Sequence, residues 1–259
     1  MNRTLWVGAS GMIAQQLNLD TIAHDLANVN TVGFKRGRAE FSELFASYQQ
    51  APGAPSADGN SPIGLYVGHG ARPAAVRRDF SQGSLQHSGQ PFDFAIEGEG
   101  FFAMELAGGR LGYTRNSSFQ TDGQGRIVDN QGRLLEGDFN VPDDAEVVEV
   151  SSDGTISVTV DGVSQVVGQL LLSRFVNPQG LESLGGGLYG QTDASGDAVT
   201  ATPGQEGLGR IRHGFVEQSN VSVVEEMVNM ITAQRAYEMN ARAVSVADEM
   251  LETLNQVLQ

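Results

Sequence analysis

Residues 223–259, VVEEMVNMITAQRAYEMNARAVSVADEMLETLNQVLQ, contain neither glycine nor proline. Apolar side chains stand at Val224, Val228, Ile231, Met239, Ala243, Val246, Met250, Leu254 and Val257, mostly in steps of three and four. That spacing predicts a helix with one apolar stripe, opened by Ser219 or Ser222 as its cap. At about 1.5 Å per residue it would be roughly 54 Å long. The stripe advances at about 3.67 rather than 3.5 residues per turn, so a strongly left-handed supercoil is not demanded. Seven carboxylates between Glu217 and Glu252 face only Arg235 and Arg242, which makes this end acidic.

The other end repeats the design. From Arg3 to Asn28, apolar residues fall at Leu5, Ala9, Met12, Leu19, Ile22, Ala23 and Leu26, followed by Val29. This is a second one-striped helix, with Gly33 as a stop shortly beyond its end. Gly8 and Gly11 lie inside it and cost about 1 kcal/mol each relative to alanine. Close approach of another backbone and simple tolerance both account for them. Two such helices invite pairing in a coiled-coil-like rod that buries both stripes. Neither persists well alone in water, so the terminal helices are expected to fold on docking.

Between the helices the period changes from 3.6 to two. Ile156, Val158 and Val160 alternate with Ser157, Thr159 and Asp161, which predicts a half-buried strand. Asp-Gly pairs at 122–123, 153–154 and 161–162 are hairpin signals. Residues 92–106, 111–119, 126–135 and 166–176 supply further strands. The expected fold class is α+β: a helix over 1–34, a connecting region over 35–90, a mainly antiparallel β domain over 91–215, and a helix over 216–259. The segment YQQAPGAPSADGNSPIG, residues 48–64, has three prolines and reads as an exposed loop or arm.

Composition excludes several functions. The formal charge of −15 disfavours nucleic acid and anionic membranes. The absence of cysteine removes disulfides, thiolate nucleophiles and zinc–thiolate sites. The stretch at Leu5–Ala9 is too short and flows too directly into a helix for a cleaved signal. No stretch reaches the roughly 18 apolar residues of a membrane span. Gly185, Gly187 and Gly190 match G-x-G-x-x-G, but a turn-rich stretch follows instead of a helix, so a β connection is the better reading. His24, His69, His87 and His213 never fall at metal-ligand spacing. Asp93, Glu97 and Glu99 alternate along one strand face opposite Phe92, Phe94 and Ile96. A solvated sheet face explains them, and a two-carboxylate glycan hydrolase is the enzymatic alternative. A surface adhesin is a third class. Asp122-Gly-Gln-Gly and Asp129-Asn-Gln-Gly lack the ligands of a calcium loop and read as turns. Lys35, Arg36 and Arg38 form a basic knot in an acidic chain, either a solvated turn or a contact for an acidic neighbour such as the terminal helix of another copy.

The stretch GASGMIAQQLNLDTIAHDLANVNTVGFKR, residues 8–36, resembles the N-terminal signature of the bacterial flagellar rod and hook family. GFVEQSNVSVVEEMVNMITAQRAYEMNARAVSVADEML, residues 214–251, resembles its C-terminal signature. GQPFDFAIEGEGFFAME and GYTRNSSFQTDGQGRIV resemble its β body. The length and tail match the rod side of the family better than the hook side, whose middle is much larger. The resemblance implies a non-enzymatic subunit, without cofactor, small-molecule substrate or nucleic-acid partner. It implies export through the flagellar export apparatus without a cleaved signal, then polymerisation into a hollow rod through the periplasm. Leu5, Met12, Leu19, Leu26, Val224, Val228, Ile231, Val246 and Met250 would carry helix and inter-subunit packing. Partners would be further copies, other rod proteins, the hook and the basal-body rings, and the 48–64 segment falls where the family carries a stiffening insertion.

Overall fold

A computed structural model describes residues 3–50, 55–56, 59–60, 64–106, 108–137, 139–142, 144–145 and 147–257. The chain divides into two compact units, one of residues 1–27, 37–77 and 222–259, the other of 28–36 and 78–221. The expected connecting region 35–90 is shared between them.

The first unit is built on α1 (Arg3–Ala27) and α2 (Val223–Val257). The two pack antiparallel: a Cβ at Gly8 would lie 2.5 Å from Val244 Cγ2, and one at Gly11 would lie 2.8 Å from Asn240 Nδ2. Both glycines therefore exist for close approach of a second helix. From Ala233 onward the face that α2 turns inward is made of small or short residues, with Ala233 and Ala247 buried and Ala236, Asn240 and Val244 half-buried; nearer its start Glu226 is buried and Met230 half-buried. Val224, Val228, Ile231, Met239, Val246 and Met250 are exposed within the chain, Val224 and Ile231 on the side of α2 away from that face and Met239 and Met250 on its flank. On α1, Leu5, Met12, Leu19 and Leu26 are half-buried. No helix among the described residues is long and apolar enough to cross a membrane.

A two-stranded arm completes this unit. Gly37–Glu43 pairs with Ala71–Arg78, Ser47–Gln50 pairs antiparallel with Leu65–Val67, and Pro55–Ser56 pairs with Gly59–Asn60. The expected loop 48–64 is thus partly strand; residues 51–54, 57–58 and 61–63 lie outside the described residues. The arm is tied to α1 at both ends. The Asp25 carboxylate accepts the Gly37 N–H at 3.0 and 3.1 Å. Gly70, at φ +102°, lies so close to Ser10 and Val7 that no side chain fits.

The second unit is mainly antiparallel β, as the period-two pattern predicts. Its largest sheet has seven strands, in the order 119–121, 127–129, 134–135, 102–106, 110–114, 188–190, 182–185. A three-stranded sheet joins Val147–Val150, Thr155–Val160 and Val163–Gln169. Ile156 and Val158 face inward, in one core with Phe94, Phe102, Met104, Leu170 and Leu172. Phe94 stacks on Phe119 at 4.6 Å between ring centroids. Asp161 and Gly162, at φ 51° and 76°, form the two-residue turn between Val160 and Val163, the left-handed pair that a tight hairpin requires.

Two hairpin turns share one formula, Asp122-Gly-Gln-Gly-Arg126 and Asp129-Asn-Gln-Gly-Arg133. In each, the aspartate accepts backbone N–H groups two and four residues on and pairs with the arginine side chain. The Arg126 N–H and side chain hold the Asp122 carboxyl below its usual 3.8, and the turns at Asp79 and Asp153 act alike. A carboxyl lowered by folding stabilises the native state above its unfolded pKa and ceases to do so as pH falls through the folded value. Thermal stability should therefore fall on acidification below about pH 4, and Asp122→Asn should lose less over that range than the parent. Parallel melting curves across pH 7 to 3 would remove this assignment.

Candidate functional site

Two surfaces compete for attention, one in each unit. In the helix unit it is the outward face of α2. Val228 and Ile231 are 58% and 57% exposed, one turn apart and flanked by Val224 and Met227. A run of large aliphatic side chains facing water along a helix marks an interaction surface. Periodicity finds the strongest hydrophobes, and here those are the residues the chain leaves uncovered.

In the β unit the notable feature is a buried ionic clasp. Lys35 is fully buried (0% exposed) and donates to Glu217 Oε1 at 2.6 Å and to the Ser81 carbonyl at 2.7 Å. Glu217 is 1% exposed; its Oε1 also accepts the Gly83 N–H at 2.9 Å, and its Oε2 lies 3.6 Å from Arg115 Nε. Arg115 is itself buried, donates to the Gly98 carbonyl at 2.8 Å, and lies over the Phe101 ring. Burial pushes the Lys35 amine below its usual pKa of 10.5, and the Glu217 carboxylate partly opposes that shift. Around this centre, Gly33 N–H donates to the Glu217 carbonyl, Arg36 N–H to Asn220, and Asn220 to the carbonyls of Asp79 and Ser81. The segments before the arm and before α2, far apart in sequence, are thereby fastened together.

The basic knot is thus divided. Lys35 is an internal counter-ion rather than a surface contact, which corrects that expectation, whereas Arg36 is half-buried and Arg38 exposed. Lys35 is the only lysine of the chain. A lysine-specific endoprotease should leave the folded chain intact and cut it once, after residue 35, when the clasp opens in denaturant. Rapid cleavage without denaturant would contradict the closed clasp.

Gly185, Gly186 and Gly187 all have positive φ in the hairpin turn between strands 182–185 and 188–190, which is the β connection predicted. Glu97 pairs with Arg212 at 3.1 Å and Glu99 is exposed, but Asp93 is buried, so the three do not form one solvated acidic face. A cavity of about 600 Å³ is lined by Asp79, Glu99, Arg115 and Arg174. The N–H of Ser81 holds the Asp79 carboxyl below its usual value, the opposite of what a glycan-cleaving acid needs. His87 and His213 bond the carbonyls of Gly214 and Pro91. Among the described residues no group of His, Asp and Glu is placed to hold a metal ion.

Three family models cover the two ends and the β body. Residues 5–35 match the model described as flagella basal body rod protein, 95–158 the flagellar hook protein FlgE/F/G D1 domain, and 212–257 the flagellar basal body rod FlgEFG protein C-terminal. The flagellar basal-body rod protein FlgG of Buchnera aphidicola (Schizaphis graminum strain) is 44% identical over 98% of this chain and 99% of its own length. The chain belongs to the flagellar basal-body rod protein family. Within Caulobacter vibrioides, FlgG is 42% identical over 98% of this chain and 99% of its own length, whereas FlgF is 31% identical over 96% and 95%. As a rod protein the chain is therefore nearer the FlgG type than the FlgF type. The family models for both ends include the unpaired α2 face and the segments that the clasp joins.

Proposed function

We infer that the chain is a structural, non-enzymatic subunit that self-assembles into the distal rod of the bacterial flagellar basal body, the part of the shaft that spans the periplasm. The observation that carries this reading is the outward face of α2, a helix-length row of aliphatic side chains left in water, on a chain similar to FlgG proteins over nearly its whole length. A monomer gains nothing from such a face; a polymer buries it in every copy. The small-residue seam between α1 and α2 supports a coiled-coil-like pair, in which one α2 face serves its own chain and the other serves neighbours. Other rod proteins, the hook, the rings and the export apparatus are the partners this reading assigns. The proximal-rod alternative is less supported, given the lower identity to FlgF.

The test is concentration-dependent assembly of the purified full-length chain, followed by sedimentation and electron microscopy. Straight filaments are expected as concentration rises. A single monomeric species at every accessible concentration would overturn the reading and restore the hydrolase and adhesin alternatives.

A further inference from the structure

The buried clasp of the β unit carries one more cation than anion. Lys35 and Arg115, 0% and 4% exposed, share the single carboxylate of Glu217. Its Oε1 is taken by Lys35 and the Gly83 N–H, and its Oε2 stays 3.6 Å from Arg115 Nε. Arg115 Nη1 is buried and has no hydrogen-bond partner among the described residues. A buried charge is costly unless an opposite one stands beside it.

Arg115 forms part of the wall of the 600 Å³ cavity. Arg174 stands in the same wall, half-buried beside Gly207, and makes no hydrogen bond or ion pair with any other described residue. Two arginines on one cavity, one unpaired and one under-compensated, select an anion. The rest of the wall decides which kind. Asp79 and Glu99 also line it, both exposed, and repel a doubly charged phosphate more than a singly charged carboxylate. Phe80 and Phe101 give the cavity an apolar side, which suits an anion carried on carbon. Its volume is that of a small organic ligand's pocket.

We propose that this cavity is a binding site for an organic carboxylate, held by Arg174 and facing the uncompensated charge of Arg115. Two sources carry that chemistry. One is a free small carboxylate. The other is an acidic side chain of a second copy: between Arg133 and Arg174 the chain holds eight aspartates and glutamates and no basic residue, and Asp144 is exposed there. The site goes beyond the assembly reading, and its first test needs no assembly.

In that test, NMR follows the Nε–H resonances of Arg115 and Arg174 in the dilute full-length monomer as phenylacetate is added, with inorganic phosphate as the control. Saturating shifts with phenylacetate alone, and binding about tenfold weaker in Arg174→Gln, would place a free carboxylate in the cavity. The second arm uses the polymer. Where a second copy supplies the carboxylate, Arg174→Glu raises the concentration needed for assembly several-fold, and adding Asp144→Arg to the same chain restores it. Either result supports the site and names its source. Binding that phosphate matches, or that Arg174→Gln leaves unchanged, would overturn the proposal. So would the absence of both saturating shifts and rescue, and assembly of the unsubstituted chain would then leave the subunit reading standing.

Discussion

Glu217→Gln is expected to destabilise the β unit by about 5 kcal/mol, and Lys35→Met by about 3 kcal/mol. The order follows from the geometry. Glu217 faces two buried cations, Lys35 at 2.6 Å and Arg115 at 3.6 Å, and also accepts the Gly83 N–H. Neutralising it leaves both cations buried without that carboxylate. Removing Lys35 leaves Glu217 with Arg115 still beside it, although 3.6 Å is too long for a good hydrogen bond. The Ser81 carbonyl also loses the shorter of its two donors, keeping Asn220 at 3.2 Å. Since total stability of a domain is only about 5–15 kcal/mol, the first variant should be largely unfolded near body temperature. The double variant Lys35→Met, Glu217→Leu should recover part of the loss of Glu217→Gln, because only Arg115, not two cations, is then left buried without the carboxylate. Denaturant unfolding of the four chains measures this directly. Equal, small losses of below about 1 kcal/mol, as for exposed pairs, would show that the clasp does not hold the unit closed.

The second large effect concerns assembly rather than folding. Val228→Asp with Ile231→Asp should weaken polymerisation at least 100-fold while leaving the melting temperature of the monomer nearly unchanged. Burying each of these side chains contributes about 1.5–3 kcal/mol, and about 1.4 kcal/mol is a factor of ten in affinity. Within the chain both are more than half exposed, so little intramolecular packing is lost. The contrasting substitution is Ala233→Asp, on the buried face towards α1. It should separate the helices and lower the stability of the helix unit first. If the two classes of variant behave alike, the two-faced reading of α2 is wrong.

Much of this organisation was legible in the sequence. The glycine- and proline-free run after residue 222, the alternation at 155–160 and the Asp-Gly turns all appear where local pattern places them. Local pattern did not distinguish the two faces of α2. Hydrophobic periodicity weights valine, isoleucine and methionine, whereas a closely packed helix seam uses glycine, alanine and asparagine, which score weakly. The spacing of Gly8 and Gly11 was the available signal, since glycines one turn apart inside a helix allow a neighbour in. The burial of Lys35 was not legible, because its partner lies 182 residues away and a basic run beside a turn ordinarily faces water. Its being the chain's only lysine was a hint without a direction. Proline and glycine in residues 48–64 predict a loop there, although part of that stretch pairs as strand.

The most direct test of the central claim is a helical reconstruction of the assembled polymer at a resolution that places side chains. The account predicts Val224, Val228 and Ile231 buried between copies, with Ala233, Asn240 and Val244 still packed on α1 of the same chain. A polymer held together by its β units alone, with the outward face of α2 still in water, would contradict it.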